Sequence, residues 1–293
     1  ANLALFMLVS AGKTRVAVLL LLAFIFASFV PVTALLEENA GAPLRVGFMS
    51  IHASPEVRGD GRTALYAAEI ERALSELAAA GADVVIFPEG APSLPHLSIP
   101  EGVTVVGTLP AFSKEGGVTG QVGGFKRVAG AMPDLIRTKR TLTPQGEYPI
   151  WLFRAPLTLL GQAGLMDEFR QNAGYVTGRG GKPLTLSDDT NASVLFCLEM
   201  FYPGLGKSLV DSEGSSVIFG MFSHASFSYP MTMAKDMERT LKIQAVEAGV
   251  PIVVSNDYGP ALAIDRYGRV TARLGEARMS EWGVVDITLS ATP

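Results

Sequence analysis

Hydrophobic and polar positions divide the chain into distinct regimes. Val16 to Leu36 contains no charged residue, and a helix of about 20 apolar residues is what a bilayer core requires. Beyond residue 43 short apolar runs alternate with segments of helical period. The runs at 45–51, 83–87, 103–109, 150–153, 192–196, 215–219, 250–255, 261–264, 270–274 and 282–287 read as strands. Some, such as 83–87, are continuously apolar, as strands buried on both faces are. Segment 64–80 brings Leu65, Ala68, Ala73, Leu74 and Leu77 near one helical face and stops at Gly81. A second helix is predicted over 231–248, ended by Gly249 and Pro251. The Gly-rich stretch 113–130 reads as a hairpin or loop. Strands alternating with helices predict an α/β layered domain.

Charge placement orients the first regime. Lys13 and Arg15 precede the apolar run, and Glu37 and Glu38 follow it. Basic flanks stay cytoplasmic, so everything after residue 37 is expected outside the inner membrane. A secretory signal peptide cleaved near Val32-Thr33-Ala34 is the other reading, but its apolar region would exceed the usual ~7–15 residues. Asn2 to Val9 is also apolar and too short to span. It reads either as the tail of an earlier membrane helix, making the chain a piece of a polytopic protein, or as a ragged terminus. The expected organisation is a membrane segment and linker over 1–43, with its helix at about 16–36, and one catalytic domain over 44–293.

Composition removes several classes. The net charge is −4 and the exported part has no basic run, which argues against nucleic acid. With Cys197 as the only cysteine, no internal disulfide can form. No spacing of His, Asp or Cys resembles a metal site. Gly178-Arg179-Gly180-Gly181-Lys182-Pro183 has some character of a phosphate loop but lacks its leading Gly and closing Ser/Thr, and reads as a turn.

Candidate chemistry sits where apolar runs end in polar side chains. Val194-Leu195-Phe196 runs into Cys197, with Glu199 two residues on, and Asp83-Val84-Val85-Ile86-Phe87-Pro88 runs into Glu89. Between them lies Lys139-Arg140-Thr141-Leu142-Thr143-Pro144-Gln145-Gly146-Glu147-Tyr148. A thiol has a free pKa of about 8.5 and needs a base or a positive field to act as a nucleophile. A glutamate raised by burial would take its proton. A lysine would stabilise thiolate and oxyanion, with the N–H of Leu198 as a second donor. Ligands in open α/β sheets gather beyond the strands' carboxyl ends. Glu89 and Cys197 would therefore share a crevice if their strands are parallel neighbours. Histidine offers a competing scheme: of His52, His96 and His224, the last follows a strand and would pair with Cys197.

These motifs resemble the nitrilase (carbon–nitrogen hydrolase) superfamily, a Glu–Lys–Cys triad on an αββα sandwich. They look most like the periplasmic domain of apolipoprotein N-acyltransferases. The Lys139 to Tyr148 run is similar to that family's Lys-x-x-Leu-x-Pro-Phe-Gly-Glu-Tyr, and Phe196-Cys197-Leu198-Glu199 to its Cys-Tyr-Glu element. Ala245 to Pro251, Asn256 to Gly259 and Ile264-Asp265 to Gly268-Arg269 follow its closing segment. Leu198 stands where that family has Tyr, Gln145 replaces its Phe, and Gly220-Met221-Phe222-Ser223-His224 replaces an aromatic-rich asparagine loop.

The resemblance implies Cys197 as nucleophile, Glu89 as base and Lys139 as oxyanion partner, with Glu147 and Glu199 as supporting carboxylates and no cofactor. It implies a membrane-anchored enzyme of the bacterial inner membrane with its catalytic domain on the periplasmic side. Such an enzyme takes an acyl chain from a phospholipid and passes it to the amine of a lipoprotein. An amidase or nitrilase-type hydrolase of a small amide is the second expectation. A non-catalytic envelope or conjugal-transfer factor of the TraB type, on the same scaffold, is the third.

Overall fold

The computed structural model describes residues 16, 43–52, 60–89, 91, 97–112, 120–141, 156–162, 164–165, 178, 181–187, 190–224, 231–275 and 279–289. The chain divides into two units, Ala1–Asn39 and Ala40–Pro293. Every strand among the described residues belongs to the second unit. The expected membrane helix lies, apart from Val16, outside the described residues, as does the strand expected at 150–153. Among the described residues no helix is long and apolar enough to cross a membrane.

The elements in chain order are β1 (Pro43–Ile51), α1 (Asp60–Ala79), β2 (Val84–Ile86), β3 (Thr104–Phe112), β4 (Gly120–Arg127), β5 (Asp134–Thr138), β6 (Leu184–Ser187) and β7 (Thr190–Phe196). They continue through a 3-10 turn (Cys197–Phe201), α2 (Leu205–Glu213), β8 (Val217–Ser223), α3 (Met231–Ala248), β9 (Ile252–Asp257), β10 (Ala261–Ile264), β11 (Val270–Leu274) and β12 (Glu281–Thr288). The Gly-rich stretch resolves into β4, antiparallel to β3, and β5 follows it as a further strand.

All these strands join one twelve-stranded sheet in the order β5-β4-β3-β2-β1-β9-β8-β7-β6, with β12 on β1 and β10–β11 continuing from β9. Alternation along each strand explains the layering. Val46 and Phe48 of β1, Val194 and Phe196 of β7, and Val217, Phe219 and Met221 of β8 point into a shared interior. Met49 and Ile51 of β1 turn the other way, against Ile70, Leu74 and Leu77 of α1. Leu195 of β7 and Ile218 of β8 turn outward against Leu209 of α2 and Met237, Leu241 and Ala245 of α3. Helices thus cover two separate outer faces of a sheet folded around its own core, an α/β architecture.

The sheet nearly closes. Chain entering β6 first runs along β5: Gly181 bridges Arg137, Lys182 N donates to the Ile136 carbonyl at 3.0 Å, and Gly178 N to the Lys139 carbonyl at 2.7 Å. The approach is so tight that a Cβ on Gly181 would lie 2.1 Å from the Ile136 carbonyl oxygen. Gly178, Gly181 and Lys182 therefore mark the seam between the sheet's two ends, and only a residue without a side chain fits at Gly181. On the other side of the core, buried Ser255 of β9 accepts from Met49 N at 3.0 Å and donates to the Ile86 carbonyl at 2.7 Å. That bond holds the end of β2, the strand that leads to Glu89.

Candidate active site

Strands β3, β2, β1, β9, β8 and β7 all run parallel, and β5 shares their direction because β4 is antiparallel to both its neighbours. Their carboxyl ends form one rim. Glu89 follows β2, Lys139 follows β5 and Cys197 follows β7, with His52, Tyr258 and His224 after β1, β9 and β8. The Glu89 and Cys197 strands, whose adjacency the sequence left open, run parallel but are not neighbours: β1, β9 and β8 lie between β2 and β7. The near-closure of the sheet carries β5 round towards β7, so that the segment after Lys139 and the residue before Cys197 share Glu199 as a hydrogen-bond partner.

Cys197 begins its 3-10 turn directly after β7, with φ of +47°. Among the described residues only Tyr258 is another non-glycine with positive φ. Such a conformation costs on the order of 1–3 kcal/mol for a side-chain-bearing residue and persists where its surroundings hold it. Those surroundings are visible. Gln244 of α3, fully buried, donates from Nε2 to the Met200 carbonyl and accepts from Gly206 N at 3.0 Å. It ties the turn to the start of α2. The cysteine is 5% exposed.

Lys139 Nζ lies 3.0 Å from Glu89 Oε1, with the lysine fully buried and the glutamate side chain 13% exposed. Buried charges of opposite sign must pair, since desolvation of either alone would be costly. Glu199, also fully buried, joins this pair's segment to the cysteine turn. Its Oε1 accepts from Arg140 N at 2.7 Å and Thr141 N at 3.2 Å, and its Oε2 accepts from Phe196 N at 3.1 Å. One carboxylate therefore binds the residues directly after Lys139 to the residue directly before Cys197. Arg137 Nη2 stands 3.6 Å from Glu199 Oε2, and its Nη1 donates to the Val194 carbonyl at 2.7 Å. Burial pulls the Arg137 guanidinium below its ordinary pKa, and the Glu199 carboxylate opposes that.

Of the residues singled out in the sequence, Glu89 and Lys139 are in contact, and Glu199 links their segment to Cys197. Leu198 is half-buried against the core under α2 and α3. Glu147 lies outside the described residues. His224 is buried, with Nδ1 2.9 Å from Asn256 Oδ1 and its ring 4.6 Å from that of Phe222. Burial lowers its pKa, against the Asn256 hydrogen bond. Sequence reasoning misses Arg137 and Gln244. Arg137 alternates with core Ile136 on a strand whose pattern does not declare itself, and Gln244 sits among the buried positions of α3, where a polar residue signals a specific partner.

Residues 62–292 match the carbon-nitrogen hydrolase family. The chain belongs to the carbon-nitrogen hydrolase family. Among curated proteins it is similar to the apolipoprotein N-acyltransferase of Agrobacterium fabrum, 25% identical over 71% of this chain and 40% of that protein. It is likewise similar to that of Brucella melitensis, 25% identical over 70% and 39%. The chain thus spans about two fifths of the length of these relatives. Among solved structures, its fold is similar to an amidase of the nitrilase superfamily from Nesterenkonia AN1, with TM-score 0.57, 16% identity, and coverage of 87% of this chain and 93% of that one. A carbon-nitrogen hydrolase from Helicobacter pylori G27 matches with TM-score 0.58 and 11% identity, over 84% and 89%. At these identities the solved structures speak to the fold alone. Glu89, Lys139 and Cys197 each follow a strand whose carboxyl end lies on the same rim of the sheet.

Proposed function

We propose that this carbon-nitrogen hydrolase is a thiol acyltransferase that forms a thioester at Cys197 and passes the acyl group to an amine. The observation that carries the reading is the linked set on the rim: Glu89 3.0 Å from Lys139, and Glu199 clamping the lysine segment to the cysteine turn.

In this reading Glu89 accepts the Cys197 proton and Sγ attacks the acyl carbonyl, so that the carbon–sulfur bond forms as the carbonyl oxygen takes up negative charge. The Lys139 ammonium and the N–H of Leu198 stabilise that oxygen. Collapse expels the leaving alcohol or amine, which takes the proton back from Glu89. The acceptor amine then attacks the thioester, loses its proton to Glu89, and leaves as an amide while the proton returns to sulfur. Glu199 holds the backbone around both reacting segments, and Glu147 is a further supporting carboxylate.

The names of the curated relatives, apolipoprotein N-acyltransferases, favour a lipoprotein amine as acceptor, and a phospholipid is the acyl donor of this reading. On that reading the apolar run 16–36 anchors residues 44–293 at the outer face of the bacterial inner membrane, beside substrates that sit in lipid. The test is mass spectrometry of the protein purified from membranes. A fatty-acyl adduct on Cys197 that is absent from Glu89→Gln is expected. An unmodified and unreactive thiol would sink the enzymatic reading in favour of an assembly factor on the same scaffold. The second enzymatic reading is hydrolysis of a small amide, in which water takes the place of the acceptor amine at the thioester. It predicts ammonia release from short amides and no lipid adduct.

A further inference from the structure

The ladder between β6 and β7 ends at the Leu184–Ala192 pair, because the chain before β6 turns away to run along β5. From there to Cys197 that edge of β7 has no strand beside it among the described residues. Two buried side chains take over its backbone groups: Arg137 Nη1 donates to the Val194 carbonyl at 2.7 Å, and Glu199 Oε2 accepts from Phe196 N at 3.1 Å. The two are oppositely charged and 3.6 Å apart. Arg137 is 2% exposed, stacks with its guanidinium carbon 5.7 Å from the Phe196 ring centre, and sits two residues before Lys139.

We propose that Arg137 is a positioning residue for the Lys139 and Cys197 pair, standing with Glu199 where strand pairing between β5 and β7 is missing and so fixing the ammonium relative to the thiol. The inference rests on the acyltransferase reading and extends it. Space-filling alone does not account for the choice of residue. A methionine would occupy the volume, but it would leave the Val194 carbonyl without its donor and the Glu199 carboxylate without its counter-charge. Arginine serves because one arm of its planar fork donates to an oxygen of β7 while the other stands 3.6 Å from the carboxylate as its counter-charge.

The readout is the pH dependence of Cys197 alkylation by iodoacetamide, which needs no substrate. It is measured in the parent, Arg137→Met, Arg137→Lys and Lys139→Met, with melting temperature recorded for each. Arg137→Met is expected to raise the alkylation midpoint by about one pH unit, a tenfold fall in rate at pH values below it. Arg137→Lys should return part of that shift. If Arg137→Met does not fold, Arg137→Lys carries the test, and its midpoint should lie above the parent's. A lowered melting temperature with the parent's midpoint in every folded Arg137 variant would overturn the proposal. If Lys139→Met raises the midpoint while the Arg137 variants do not, the positioning role is wrong and the functional reading stands. If Lys139→Met also leaves it unchanged, both fail.

Discussion

Lys139 Nζ and Glu89 Oε1 meet at 3.0 Å although the residues lie 50 positions apart, one at the end of β5 and the other after β2. The lysine is fully buried and the glutamate nearly so, and the contact joins strands separated in the sheet by β4 and β3. The ammonium and the carboxylate are each other's ion-pair partner in a site largely withdrawn from water. That arrangement gives one group able to accept a proton beside one able to stabilise negative charge on a substrate oxygen.

Replacing Glu89 by glutamine separates the two roles. Glutamine keeps the shape and an oxygen for Lys139 but cannot accept a proton. Acyl-enzyme formation should fall by about 10²–10⁴-fold, the usual worth of a positioned base, while the protein remains folded. Single-turnover thioester formation followed by intact-mass measurement reads this directly. A Glu89→Gln protein that acylates at the parent's rate would remove Glu89 from the chemistry.

Glu199 is expected to be the residue least tolerant of change. Alanine would strip acceptors from Arg140 N, Thr141 N and Phe196 N and deprive buried Arg137 of its ion-pair partner. Breaking a buried pair from one side costs about 3–5 kcal/mol, on the order of 10 °C in melting temperature for a domain of this size. Glutamine should be intermediate rather than silent, because its NH₂ must face at least one backbone N–H, donor against donor. Thermal denaturation of Glu199→Ala and Glu199→Gln orders the two. Equal melting temperatures for parent and Glu199→Ala would contradict the clamp.

The seam supplies a test of closure. A Cβ on Gly181 would sit 2.1 Å from the Ile136 carbonyl oxygen and 2.4 Å from Arg137 Cα, both backbone atoms that cannot step aside. Gly181→Ala should therefore push the β6 entry away from β5, cost about 1–3 kcal/mol as overpacking does, and slow acylation by displacing Lys139. Stability and acylation rate should fall together. A variant with lowered stability and an unchanged acylation rate would show that the seam does not govern the site.

Much of the fold and the site is legible in the sequence, for reasons that particular residues make plain. Cys197 and Glu89 each end an apolar run, and a run that ends in a reactive side chain marks a strand delivering it to a sheet edge. The helices at 60–79 and 231–248 announce themselves by period. The apolar pattern stops strand β8 at Phe219, but the strand continues to Ser223. Gly220 there is no breaker: it makes room for Met200 of the cysteine turn, whose Cε would lie 2.7 Å from an added Cβ. Strand β5 is hidden because Arg137 and Thr138 are polar and yet buried, so its alternation does not look like a strand's. Strand order stays out of reach altogether. It depends on which long crossings the folded core accepts, and local pattern carries no record of that.

His224 offers a prediction in pH. Its ring is buried beside Phe222 and bonded to Asn256, and burial places its pKa below the ordinary 6.5, with the Asn256 bond opposing. The unfolded chain, with the histidine in water, therefore takes up a proton near pH 6.5 that the folded protein resists. Below that point protonation favours unfolding until the pH falls through the lowered folded value, where both states carry the proton. Stability attributable to His224 is thus present above about pH 6.5 and is lost as the pH falls through this window. Glutamine at this position can still donate to Asn256 Oδ1 but does not titrate. Denaturant midpoints compared between pH 7.5 and pH 5 should fall more steeply in the parent than in His224→Gln. The difference isolates this group from carboxylates such as Asp257, which both proteins share. The same variant decides between the two activation schemes for Cys197. With Glu89 as the base, His224→Gln should acylate within a few-fold of the parent, whereas a Cys197–His224 pair would lose about 10²–10⁴-fold.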